Sequence, residues 1–125
     1  MSVELNHTIV CVTDREKSAE FLAGILGLRT EPVDGPFVPI RLANGVTLDY
    51  LRVDRVTSQH YAFLVGDDEF DAALARIEAA GVTYWADPFH ERAGEVNDLN
   101  GGRGIYFEDP DGHNLELLTR GQPCG

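Results

Sequence analysis

The sequence predicts an α+β fold made of two βαβββ modules. Two observations carry that expectation. The first is an internal repeat: residues 7–14 read HTIVCVTD and residues 60–67 read HYAFLVGD, so His, Val and Asp recur at an offset of 53 (7 to 60, 12 to 65, 14 to 67). The second is its counterpart further on: residues 45–51 read GVTLDYL and residues 112–118 read GHNLELL, with Gly, Leu, an acid and Leu recurring at an offset of 67 (45 to 112, 49 to 116). A fixed-period repeat marks a duplicated structural unit. The growth of the offset by 14 places an insertion in the second copy, in the Gly- and Asp-rich stretch from about Asp87 to Gly102.

Each copy opens with an apolar, β-branched run, Val3–Val12 and then His60–Val65, as strands do. A helix follows, with Asp14 as cap in the first copy and Asp67 or Asp68 in the second. Phe21, Ile25 and Leu28 keep rough helical spacing, as do Phe70, Leu74 and Ile77. Gly27 and Gly81 stand where a helix stops in a left-handed turn. Three short strands complete each copy, at about 28–33, 37–43 and 46–53, then 82–86, 103–108 and 114–120. Asn44-Gly45 and Asp111-Gly112 are turn signals between the last two strands of each. Module one is thus expected over 1–56 and module two over 57–125, as a single domain of common size.

Composition narrows the partners. The chain has 125 residues, 43% hydrophobic and 25% charged, which suffices for one packed core. A formal net charge of −11 repels phosphate backbones and anionic lipid, so neither nucleic acid nor membrane is expected as a partner. The two cysteines, Cys11 and Cys124, make no disulfide framework. The start of the chain has no basic and long apolar stretch of the signal-peptide kind, and the cytoplasm is the expected compartment.

The duplication also aligns chemistry. His7 and His60 open the first strands of the two copies, while Asp49 and Glu116 sit in the last strands. Packing about a pseudo-twofold axis would bring two imidazoles and two carboxylates together. That donor set suits zinc, nickel, cobalt, manganese or iron(II). Singly, a strand His is usually a surface or core residue and the Glu of Leu-Glu-Leu usually faces solvent; it is their tie to the repeat that points to a metal.

The stretches NHTIVCVTD, FLAGILGL and GIYFEDPDGHNLEL resemble the vicinal oxygen chelate superfamily, which includes glyoxalase I, bleomycin-resistance proteins, fosfomycin-resistance thiol transferases and extradiol dioxygenases. The resemblance covers nearly the whole chain, and the DPDGxxxE pattern specifies the superfamily without specifying a reaction. It implies that the two modules form a curved mixed sheet around a central cavity, the glyoxalase-like arrangement, with a divalent metal on His7, His60 and Glu116. Asp49 matches the place of a fourth, acidic ligand in glyoxalase I; being one methylene shorter, it would act through water or orient a neighbour. Catalytic roles are expected for Glu116, Asp49 and Tyr106, substrate contacts for Tyr106, Trp85 and Arg103. Trp85 otherwise reads as core, and Arg103 as one side of a surface salt bridge.

The expected function is metal-dependent lyase or isomerase chemistry on a small substrate with vicinal oxygens, in a homodimer whose site halves come from one chain or from two. The alternatives are an extradiol-type dioxygenase and a non-enzymatic drug-binding protein. Extradiol enzymes share Tyr106 through Glu116, but their pattern places a catalytic His where this chain has Asn97, Asp98 and Leu99; the nearest upstream His is His90. Fosfomycin-resistance enzymes have Thr where this chain has Ile9, and an anion-binding Arg further past the last ligand than Arg120.

Overall fold

A computed structural model describes residues 2–121, and Cys124 lies outside them. The order of elements is β1 (His7–Val12), α1 (Arg15–Leu26), β2 (Phe37–Arg41), β3 (Thr47–Arg52), β4 (His60–Leu64), α2 (Asp67–Ala79), β5 (Tyr84–Trp85), β6 (Gly104–Glu108) and β7 (Asn114–Leu118). The chain divides into two compact units, essentially residues 2–57 and 58–121, with the last residues of α1 grouped with the second.

In the first unit the strands order β1-β3-β2, with β1 parallel and β2 antiparallel to β3. In the second they order β4-β7-β6-β5, with β4 parallel to β7. The repeat survives in the hydrogen-bond register. His7 pairs with Thr47 and His60 with Asn114, and these partners are again 67 apart. Both sheets are therefore mixed, and the α+β, glyoxalase-like class holds.

The two units differ where copy one was expected to have a strand at 28–33. Only a bridge between Thr30 and Ile40 forms there. Glu31 donates its N–H to Pro39, but Pro39 has no N–H to return and Pro32 follows at once, so the ladder stops after one rung.

Helix α1 is capped as expected, Asp14 Oδ1 accepting the Lys17 N–H at 3.0 Å. Helix α2 is not. Gly66 takes the N-cap position without a side-chain bond, and Asp67, Asp68 and Glu69 occupy the first turn, where negative charge meets the positive helix end. Gly27 (φ 72°) and Gly81 (φ 69°) end the helices in left-handed conformation, as expected.

Strand alternation separates two faces in each sheet. In the second unit Phe63, Ile105, Phe107, Leu115 and Leu117 are buried together with Phe70, Ala73 and Ile77 of α2. The opposite face carries His60, Ala62, Tyr106, Glu108, Asn114 and Glu116, which pair in register across β4, β7 and β6. In the first unit Val10, Val12, Leu48, Tyr50, Val38 and Ile40 are buried, and His7, Ile9 and Asp49 share the other face.

Candidate functional site

The register of the second sheet brings His60, Glu116 and Tyr106 side by side. Ala62 and Tyr106 flank Glu116 on neighbouring strands, and His60 pairs with Asn114, two residues before Glu116 on the same face. His60 Nε2 lies 3.1 Å from Glu116 Oε1. Its other nitrogen, Nδ1, lies 2.9 Å from the backbone oxygen of Asn114. A carbonyl oxygen only accepts, so Nδ1 carries the hydrogen and Nε2 turns its other valence toward the carboxylate. An imidazole nitrogen and a carboxylate oxygen thus stand side by side, both able to act as ligands.

Glu116 is buried within the sheet, while His60 stands half out of it. Tyr106 lies with its ring centroid 5.9 Å from that of His60, nearly parallel. Burial raises the Tyr106 hydroxyl to about 12, and the charge and hydrogen bond of Glu116 push the same way. Tyr106 is thus a fixed neutral donor to the carboxylate at any ordinary pH.

Trp85 pairs in register with Tyr106, which puts it on this face. It does not stand alone there: His90 stacks on it with centroids 3.7 Å apart and planes within 7°. His90 Nε2 reaches Asn114 Oδ1 at 3.0 Å and its Nδ1 lies 3.6 Å from Glu108 Oε1. The insertion is a fold-back in which Asp87 accepts the backbone N–H groups of Glu91 and Arg92. Burial raises the Asp87 pKa, but these backbone donors outweigh it and leave the carboxyl below its ordinary value.

The β6–β7 turn supports the start of β4. Asp109 is buried and accepts the N–H groups of Asp111 and His113. Burial outweighs those donors and raises its pKa. His113, also buried, accepts the Gln59 N–H on Nδ1 at 3.0 Å, which fixes the residue immediately before His60.

Arg103 is placed elsewhere. It shares parity with Ile105 and Phe107, on the α2 side of the sheet, where its guanidinium bonds Asp71 at 2.7 Å and Asp67 at 3.0 Å and lies 4.6 Å over the Phe70 ring. These neighbours are those of the surface salt bridge that the sequence also allowed.

His7 and Asp49 belong to the first unit. Both line an open cleft of about 640 Å³ together with Glu31, Asp34, Phe37 and Arg41. His7 is exposed, its Nδ1 donating to Asn6 Oδ1 at 2.7 Å. Among the described residues no group of three or more His, Cys, Asp and Glu forms a metal cluster, so the local donor set is the pair His60 and Glu116.

Sequence reasoning missed Asn114 and read His90 only as a lid residue of the insertion. Strand parity with Glu116 could have found Asn114. Nothing in the sequence placed His90, because its position depends on how the insertion folds back.

With this geometry in place, comparison with known proteins settles the family. Residues 4–117 match the Glyoxalase/Bleomycin resistance protein/Dioxygenase superfamily, and the chain belongs to it. It is 32% identical over 124 residues to glutathione transferase FosA of Serratia marcescens, covering 94% of this chain and 81% of that protein. It is 30% identical over 122 residues to metallothiol transferase FosB of Lysinibacillus sphaericus, covering 92% and 81%. Among solved structures, oxidase ChaP-H2 is 59% identical, with a TM-score of 0.96 over 100% of this chain and 99% of that one. These relatives are enzymes, and one is named for its metal. No helix among the described residues is long and apolar enough to cross a membrane.

Proposed function

We propose that this chain is a metal-dependent oxidase acting on a small molecule with two neighbouring oxygens. The carrying observation is the facing pair His60 Nε2 and Glu116 Oε1, with the imidazole held by Asn114 so that its free nitrogen points at the carboxylate. An imidazole oriented through its second nitrogen, beside a buried carboxylate, fits a divalent first-row ion. His7, whose imidazole is exposed, is the proposed third ligand. Two His and one carboxylate suit iron(II). Zinc, nickel, cobalt or manganese would serve the lyase or isomerase chemistry that the sequence suggested.

Oxidation is favoured over that chemistry by the 59% identity to oxidase ChaP-H2 along the full chain. When bound, such an ion supplies Lewis-acid charge to the substrate oxygens and, as iron(II), one-electron chemistry toward oxygen. The protein's own part is then clear. Tyr106, neutral and hydrogen-bonded to Glu116, orients that carboxylate beside the substrate. Asp49, on the face of the first sheet that carries His7, is the candidate to hold or move a substrate proton. Trp85 gives the aromatic wall.

The test is oxygen uptake by the iron(II)-loaded chain on a panel of vicinal aromatic diols, with His7→Ala as control. Uptake that needs iron and His7 supports the oxidase. Thiol consumption without oxygen uptake would replace it with a transferase.

A further inference from the structure

His90 has an unusual backbone. Its φ is 62°, a left-handed conformation that costs a non-glycine residue energy. Such strain persists only where the surroundings over-determine it, and its usual association is with a working site. The His90 backbone N–H is held by the Asp87 carbonyl at 3.3 Å, and its side chain is held on the His60 face of the second sheet by the Trp85 ring, Asn114 Oδ1 and the Glu108 carboxylate.

Asn114 is the link to the pair. Its backbone oxygen holds His60 Nδ1, and its side chain lies on the same face as His60 and Glu116. That amide has been turned away from both: Nδ2 donates to the Pro88 carbonyl at 3.4 Å, which leaves Oδ1 to accept from His90 Nε2–H. Released from His90, the amide would be free to swing its N–H groups onto Glu116 or onto His60 Nε2, the atoms a cation needs.

We infer that His90 is a positioning residue: it holds the Asn114 amide off the His60–Glu116 pair and so keeps that pair's donor atoms available. The inference rests on the metal-binding reading above. It differs from a loop-anchoring role because it acts through Asn114 and because the strain at residue 90 makes stability and binding move apart.

The test is cobalt(II) affinity of the full chain, measured by calorimetry, alongside thermal unfolding. His90→Gly is the informative variant, since glycine takes this backbone without strain and the fold should keep or raise its melting temperature. Its cobalt affinity should fall about tenfold, within the range seen when groups that orient a metal ligand are lost. His90→Gln, whose amide N–H replaces the imidazole donor, should stay within about threefold of the parent. In an Asn114→Ala background, His90→Gly should change affinity less than about twofold, because no amide remains to be held.

Parent-like cobalt affinity in His90→Gly overturns the inference, as does a variant that loses only melting temperature. Should the parent itself take up no cobalt, the metal reading fails, and the His60 Nε2 nitrogen resonance then decides. A shift in His90→Gly upholds the positioning role, and an unchanged resonance overturns it.

Discussion

His60 Nε2 and Glu116 Oε1 face each other at 3.1 Å while the opposite edge of the imidazole is fixed by the Asn114 carbonyl. This relationship ties the register of β4 and β7 to chemistry. Parallel pairing of His60 with Asn114 and of Ala62 with Glu116 puts the ring beside the carboxylate two residues on.

The tyrosine beside that pair has a measurable signature. Tyr106 ionises at about 12 in the fold against 10.0 for an ordinary tyrosine, burial being the larger cause and Glu116 the second. The unfolded chain therefore gives up this proton first. The stabilisation is complete below pH 10.0 and is lost as pH rises toward about 12. Ultraviolet titration should show a tyrosine step near pH 12, later than the delayed step of Tyr84, and Tyr106→Phe should abolish it.

Asp109 separates hydrogen bonding from charge. Its raised pKa means that its ionised form is disfavoured by burial, while its oxygen satisfies two turn N–H groups. Asp109→Asn keeps that acceptor and should change stability by less than about 1 kcal/mol; Asp109→Ala orphans both donors and should cost about 2–3 kcal/mol by denaturant unfolding.

The Arg103 cluster should matter mainly through packing. Its bonds to Asp67 and Asp71 are largely exposed, so screened ion pairs contribute little, and the stem and guanidinium over Phe70 contribute more. Arg103→Ala should lower stability modestly, and raising salt should recover almost none of the loss. Phe70→Ala, emptying a fully buried position, should cost about 3–5 kcal/mol.

The cap of α1 is a local check. Asp14→Ala removes the acceptor for Lys17 N–H and should lower stability by about 1 kcal/mol, whereas Asp67→Ala, not a cap, should cost less.

Much of this was legible in the chain itself because the duplication is written in residues with structural consequences. His7, His60, Gly45 and Gly112 mark matching strand starts and turns, and the registers of β1 with β3 and β4 with β7 reproduce the same offsets. The strand expected at 28–33 failed on Pro32 and Pro39, whose missing N–H groups matter only once the partner strand is known. The cap of α2 went to Gly66 because the acids after it serve the helix end from inside the first turn. Arg103 was read from its charge, and its face was settled by the parity of Ile105 and Phe107. His90 was out of reach, since its contacts with Trp85 and Asn114 are made by a fold-back that no periodicity encodes.

The most direct measurement is metal stoichiometry and affinity, by elemental analysis and calorimetry after anaerobic iron(II) loading, for the parent, His60→Ala and Glu116→Ala. The account predicts about one ion per parent chain and affinity lower by about a hundredfold or more in each variant, as expected when a ligand is removed from such a site. A parent that retains no ion, or variants that hold it as tightly as the parent, would contradict it.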